Sequence, residues 1–468
     1  MNETVAPRAP KSAHPLAQLR DPGTIRARCA GVMRAVEAGV SPYFKLDRGA
    51  LDGAAERVAA LTLRRFPDLR IPLHSRWRHF EAGGVDRLAE LDAALATNDA
   101  SPTDRARAHI DLVVVSVLLD AGAGQKWSYE ESAALDVMAL PAGRQSADEL
   151  QAMLSRAAAS ADAVEPAATT PAPTSAGTGY TRSEGLAVAT FRAFMAGAFS
   201  SDPRQPLRAD AAALKLVDAA ALRAVFQVTP NNPLVGLEGR AALISRLGAA
   251  LLAEAALDGT AARPSLIFDR LSAHGTRRHV TATEVLGEVL RSLAPIWTSG
   301  SRVQGLPAGD VWAHAWAGAA TGSGKPDATT AGWVPFHKLS QWLAYSMLEP
   351  LMWAGIEITG LNALTGLPEY RNGGLLLDAG VIVPRDPRLL AKVWKPADEF
   401  IVEWRALTVM LLDELAERVR ARLGKSAAEL PLACILEGGT WAAGREIAAE
   451  LREGGVPPLK IDSDGTVF

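Results

Sequence analysis

Apolar residues recur at three-to-four-residue spacing, with charged residues between them, over Leu51–Arg65, Asp104–Asp120, Ser183–Ala198, Asp210–Ala220, Gly236–Ala255 and Ala282–Leu293. That period matches one face of an α-helix, so each stretch predicts an amphipathic helix packed on a core. The pattern returns in Pro335–Gly355, from Pro368 to Gly380, in Ala397–Leu423 and in Ala442–Glu453. Alternation with a period of two is scarce, and only the tail Leu459–Phe468 reads as strand. No fixed-length repeat recurs, which disfavours a helical solenoid. The expected fold is mainly α, with a short β segment at the C-terminal end.

The helical pattern fails in two places. Residues 1–22 are rich in Pro, Ala and Ser and predict a loose terminus, with periodicity beginning near Thr24, whose hydroxyl can cap the helix that follows. Residues 157–179, AAASADAVEPAATTPAPTSAGTG, have almost nothing large to bury and predict a flexible insertion. The expected organisation is therefore a flexible terminus, 1–22, and one large helical catalytic unit, 23–468, interrupted at about 157–179.

Composition narrows the function. A net charge of −3, with 22% charged residues, offers no basic surplus for holding phosphodiester backbones, so no nucleic-acid partner is expected. Cys29 and Cys434 stand alone, without ligand-like spacing, which argues against a disulfide framework or thiolate metal site and fits a reducing compartment. The start lacks the apolar core of a secretory signal. The longest apolar stretch, IDLVVVSVLLDAGAG from Ile110, is interrupted by Asp111 and Asp120 and falls short of the roughly 20 residues of a membrane span. A cytoplasmic protein with no membrane partner is expected; no pattern specifies its oligomeric state. GxxxxGK[ST], GxSxG and HExxH are absent, and the pairs Gly83–Gly84, Gly373–Gly374 and Gly438–Gly439 lack strand-to-helix context, so no metal or nucleotide cofactor is expected.

Candidate chemistry concentrates in a few segments. In VPFHKLSQWLAYSMLEPLMWAGI, from Val334, one helical stripe is Lys338, Trp342, Tyr345 and Glu349. A lysine beside aromatic rings suits an anionic head group on a stacked organic part; the same pattern fits a lysine snorkelling over a core stripe. In the segment from Gly360, Glu369, Tyr370, Arg371 and Asn372 share one turn, with Pro368 suited to a first helical turn. A carboxylate there can stabilise a developing cation or position water, and Arg371 can grip phosphate. The bland alternative is a helix N-terminus with a dipole-favoured glutamate and a surface arginine.

HSRWRHFEAGGVDR offers His74 and His79, whose five-residue spacing misses that of paired helical metal ligands but suits phosphate or gating contacts. Lys126-Trp127-Ser128-Tyr129 presents Trp127 as a candidate substrate contact. Glu403 with Arg405, and Glu437 with Arg445 in LEGGTWAAGREIA, read as buried ion pairs or as catalytic groups.

Through VPFHKLSQWL, ALTGLPEYRNGGLLLDAGV, LEGGTWAAGREIA and the final DGTVF, the chain resembles a family found with uracil-catabolism genes in bacteria and fungi. More distantly it resembles the queuosine-salvage proteins, helical nucleotide N-glycosidases related to helix-hairpin-helix DNA glycosylases. Phe336-His337-Lys338-Leu339-Ser340-Gln341 is similar to that family's Phe-Tyr-Lys-Arg-Ala-Gln run, and Glu369-Tyr370-Arg371 to its Asp-Tyr-Arg triplet. The GYTRSEGLAVA segment from Gly179 and NPLVGLEGR from Asn232 follow in the same order. The resemblance implies an N-glycosidase-type hydrolase acting on a small phosphorylated ribosyl compound, ribosylurea phosphate in uracil catabolism. It further implies Glu369 and Tyr370 as catalytic residues, with Lys338, Arg371, Gln341 and His337 binding substrate; the residue pattern adds Trp342 and Trp127 as substrate-binding residues. Glu369 is one methylene longer than the aspartate it replaces, which shifts its carboxylate against the sugar. Rival readings are a noncatalytic binding or scaffold protein and an amidohydrolase attacking the urea moiety.

Overall fold

The computed structural model describes residues 16–97, 99–124, 126–131, 179–297, 300–318 and 330–462. The insertion expected at 157–179, except Gly179, and the DGTVF tail lie outside the described residues.

The fold is mainly α. Its centre is the helix Pro102–Leu119, buried without a break from Ala108 to Leu119. Around it pack Lys338–Trp353, Arg182–Met195 and Leu237–Asp258. A second layer sets Glu399–Leu423 against Pro22–Glu37 and Ala50–Arg65, and Tyr370–Asp378 against Trp441–Leu451. Asp111, a charge inside the apolar central helix, is tolerated because it is saturated: Arg263 donates at 2.6 Å, and the Ala209 and Ser265 amides at 3.1 and 2.9 Å.

Most expected helices appear within a few residues of their sequence boundaries. The first helix starts at Pro22, two residues before Thr24, because Asp21 is the cap, accepting from the Gly23 amide at 2.8 Å. The loose terminus expected through residue 22 does not extend to Leu16 and Leu19, which are buried against Val303, Ala308 and Val311. Asp210–Ala220 is not one helix. Asp210 caps Ala211–Leu214, and Asp218 interrupts the pattern by capping a new helix, Ala219–Val225, at 2.8 Å to the Ala221 amide.

Among the described residues strands pair only two by two. Phe44–Leu46 runs antiparallel to Ile382–Pro384, and Val311–Ala313 to Trp333–Pro335. The expected C-terminal strand is Lys460–Ile461, parallel to Val393–Trp394. No helix among the described residues is long and apolar enough to cross a membrane.

Candidate functional site

A cavity of about 280 Å³ opens where the ends of several helices meet. Lys338 and Trp342 enter it from one helix, and Glu369, Tyr370 and Arg371 from the turn that starts another. His74 and His79, Asp120 with the glycine-rich loop behind it, Arg182, Trp441 and Gly454–Pro457 complete the wall.

Lys338 is the first residue of its helix, and its placement depends on a buried ion pair. Asp310 accepts from the Lys338 amide at 2.9 Å and from Trp312 Nε1 at 2.6 Å, while Arg405 clasps both its oxygens at 2.6 and 2.8 Å. Arg405 Nε also donates to the Pro368 carbonyl at 3.1 Å, and its guanidinium lies 4.1 Å from the centre of the Phe336 ring. One guanidinium therefore sets both the start of the lysine helix and the turn that carries Glu369. Burial pushes the Asp310 carboxyl up, but the Arg405 charge and the hydrogen bonds outweigh it and hold it below the usual carboxylate range. Burial likewise pulls the Lys338 ammonium below the ordinary lysine value, against the opposing pull of Glu369 and Asp120.

Glu369 is the N-cap of Tyr370–Asp378: its two oxygens accept from the Arg371 amide at 2.8 Å and the Asn372 amide at 2.7 Å. The helix therefore starts after Glu369, and Pro368 precedes the cap instead of filling the first turn. Each carboxylate oxygen keeps a lone pair for the cavity, held in a fixed orientation. Arg371 is buried, contrary to the surface-arginine alternative, and its Nε has no hydrogen-bond partner among the described residues. Its guanidinium stacks on Tyr370 at 4.6 Å from the ring centre. The Arg371 backbone is fixed by Gly444, where any Cβ would overlap the Arg371 carbonyl oxygen. Gly373 lies equally close under Trp404, whose Nε1 donates to the Gly373 carbonyl at 3.1 Å. Arg182, at the rim, holds φ at +56°, a backbone conformation uncommon for a residue with a Cβ.

The aromatic side of the cavity is continuous. Ring centres are separated by 6.4 Å from His74 to Trp441, 6.4 Å from Trp441 to His79, and 5.7 Å from His79 to Trp342. His74 Nδ1 pairs with Glu437 Oε2 at 2.8 Å, and Arg65 reaches the other Glu437 oxygen at 3.2 Å. Burial pushes the Glu437 carboxyl up, and the His74 hydrogen bond with the His74 and Arg65 charges outweighs it, leaving it below its ordinary value. Asp120 binds Arg76 on one oxygen and the Ser183 hydroxyl at 3.1 Å on the other.

Burial and the nearby Arg76 charge push His79 down to about 3, so its ring is neutral at physiological pH. Unfolding restores the ordinary value of 6.5, so the unfolded chain binds more protons in between. Stability from this residue is complete above 6.5 and falls as pH drops toward 3. The urea-unfolding midpoint is expected to be lower at about pH 5 than at about pH 7.5, and His79→Phe to shrink that difference. An unchanged difference in the variant would exclude His79 as the source.

The cavity unites five of the eight residues expected from sequence to be catalytic or substrate-binding, Lys338, Trp342, Glu369, Tyr370 and Arg371, together with His74 and His79. The other three serve the frame. His337 occupies the left-handed region at φ +48° and hydrogen-bonds the Leu19 carbonyl at 2.8 Å, anchoring the N-terminal segment outside the cavity. Gln341 binds Thr365 through both ends of its amide, its oxygen accepting from the Thr365 amide at 3.1 Å, which ties the Glu369 loop to the lysine helix. Trp127 is buried, donates to the Phe226 carbonyl at 2.8 Å and packs under Gly185.

Tyr345 and Glu349, expected on the site stripe, continue into the core: Tyr345 donates to the Thr365 carbonyl at 3.0 Å and Glu349 takes Ser75 and Arg78. The suggested ion pairs are re-partnered. Glu403 takes the Ser41 hydroxyl while Arg405 takes Asp310, and Glu437 takes His74 and Arg65 while Arg445 stacks on Trp441 and faces Glu184 at 3.6 Å. Among the described residues no three His, Cys, Asp or Glu side chains gather to hold a metal ion.

Asp120, Arg182 and Trp441 line the cavity without standing out in the sequence. Their signals were faint: a charge ending an apolar helix before Ala-Gly-Ala-Gly, and single residues inside the GYTRSEG and LEGGTWAAGREIA segments.

Comparison with known proteins gives a consistent picture. A family described as "Protein of unknown function (DUF1688)" matches residues 18–143 and 165–468. Protein urg3 of Schizosaccharomyces pombe is 34% identical over 463 residues, covering 98% of this chain and 100% of the relative. Uracil catabolism protein 4 of Lachancea kluyveri is 34% identical over 482 residues, covering 97% of this chain and 99% of the relative.

Proposed function

The chain belongs to the DUF1688 family, and from that membership we propose that it is a uracil-catabolism enzyme: a cytoplasmic N-glycosidase-type hydrolase that splits the C1′–N bond of ribosylurea phosphate into urea and ribose phosphate. The name of the Lachancea kluyveri relative supports the pathway. The observation that carries the chemistry is the meeting of Lys338, Arg371 and Arg182 with the Glu369 carboxylate in one cavity, at the small end of the range for ligand pockets. None of the three cations has an ion-pair partner within 4 Å among the described residues. An anion brought by the substrate supplies that partner.

Breaking the C1′–N bond gathers positive charge on the ribose, which a fixed carboxylate stabilises more in the transition state than in the ground state. Because the Arg371 and Asn372 amides occupy one lone pair on each Glu369 oxygen, Glu369 faces the cavity in a set orientation, suited to the ribosyl cation and to the water that adds to it. Arg371 and Lys338 hold the phosphate, and this remote grip orients the sugar for reaction. Tyr370, at the mouth, contacts the sugar.

The test is product analysis with purified protein. Ribosylurea 5-phosphate is expected to yield intact urea and ribose 5-phosphate in equal amounts, with unphosphorylated ribosylurea turned over at least about a hundredfold less efficiently. Ammonia in place of urea would replace the proposal with amide hydrolysis, and binding without turnover with a noncatalytic role.

A further inference from the structure

The proposed hydrolysis leaves one proton unassigned. Urea is a poor leaving group as an anion, so the departing nitrogen must be protonated as the C1′–N bond opens. Lys338 and Arg371 are committed to the anion, and Asp120 is occupied by Arg76 and Ser183. Of the groups on the aromatic wall, His79 is held neutral by burial.

His74 is arranged differently. Its Nδ1 is fixed by Glu437 at 2.8 Å, and its ring lines the cavity with Nε2 lacking a hydrogen-bond partner among the described residues. A carboxylate on one ring nitrogen sets the tautomer and rotamer, leaving the other to exchange protons with whatever occupies the cavity. The backbone is built around this contact. Residues Leu436–Thr440 form a single π-helical turn, a wide turn that recurs at functional sites. Its glycines let the turn lie against the Ala50–Arg65 helix: a Cβ on Gly439 would sit 2.7 Å from the Val58 carbonyl oxygen. From that turn Glu437 is gripped on both sides, by His74 on one oxygen and by Arg65 on the other and on the Glu437 carbonyl.

Resting on the glycosidase reading above, we propose that His74 is the general acid of this site and that Glu437 is the positioning residue that orients it. The planar ureido group lies along the aromatic wall of His74, Trp441 and His79, away from the cations that hold the phosphate. The C1′–N electron pair passes to the urea nitrogen, which takes the Nε2 proton of a His74 ring protonated on both nitrogens, its Nδ1–H remaining on Glu437. A water oxygen bonds to C1′, its surplus proton passes to Glu369, and exchange with solvent returns that proton to the imidazole. The sum is ribosylurea phosphate plus water to ribose phosphate plus urea.

The experiment compares two substrates that differ in their need for an acid: ribosylurea 5-phosphate, and p-nitrophenyl ribofuranoside 5-phosphate, whose nitrophenolate leaves unprotonated. His74→Gln is expected to lower urea release by about a hundredfold or more while keeping nitrophenolate release within about fivefold. Glu437→Gln is expected to show the same selectivity with a loss of about tenfold. Equal losses on both substrates in a variant with an unchanged melting temperature would overturn the assignment, as would selectivity appearing in Tyr370→Phe and not in either dyad variant. Wild-type protein inert toward both substrates would instead bring down the glycosidase reading beneath it.

Discussion

Glu369→Gln is expected to lower kcat/KM for urea release by about a thousandfold, the upper end of what one well-placed electrostatic group supplies to a transition state. The variant removes the charge and keeps the shape. It also faces one of the two capping amides with an NH₂ group, at a cost of about 1–2 kcal/mol, too little to unfold the protein. Circular dichroism should therefore show native helix content and a melting temperature lowered by only a few degrees. Glu369→Asp separates the two tasks of this side chain. Aspartate is a good cap, so stability should be retained, while the carboxylate is withdrawn from the cavity by one methylene and activity should fall partway. A folded Glu369→Gln protein losing less than about tenfold would remove this residue from the chemistry.

Arg405→Leu is expected to have the largest effect on stability, about 3–5 kcal/mol, because it strips a buried carboxylate of its charge partner. The side chains of Arg405 and Asp310 are 0% and 7% exposed, so water cannot take over. Among the described residues the Asp310 carboxylate would keep only the Lys338 amide and Trp312 Nε1, and the Pro368 carbonyl would lose its Arg405 donor. The double variant Asp310→Asn/Arg405→Leu should recover part of the loss, since an amide tolerates burial better than an unpaired carboxylate. Urea-unfolding midpoints decide the matter, and a double variant no more stable than the single one would refute the ion-pair explanation. Folded protein from either variant should turn over slowly, because both the lysine helix and the Glu369 turn have lost their common anchor.

The helices were legible because their three-to-four period is set by burial and survives in a single chain. The strand pairs, apart from the tail, were not: segments of two or three residues are too short for alternation to show, and their partners lie far away in sequence, as Phe44 and Pro384 do. At the site, Lys338, Trp342 and the Glu369–Arg371 turn stood out because polar and aromatic residues crowd a short stretch. One turn further along the helix the pattern no longer marks the site. A helix face that begins at a cavity runs on into the core, so Tyr345 and Glu349 became packing and hydrogen-bonding groups. His337 and Gln341 sit among site residues in sequence but satisfy backbone groups of other segments. The pairing of His74 with Glu437 joins residues 363 positions apart, beyond any local pattern.

The walls of the cavity come from positions scattered between His74 and Pro457. Such a recess is complete only once segments far apart in the chain have come together, and contacts of that kind cost the most entropy to form. A chain clipped before Gly454 would keep Lys338 and Glu369 but lose one wall of the recess, so ligand affinity is expected to track completed folding.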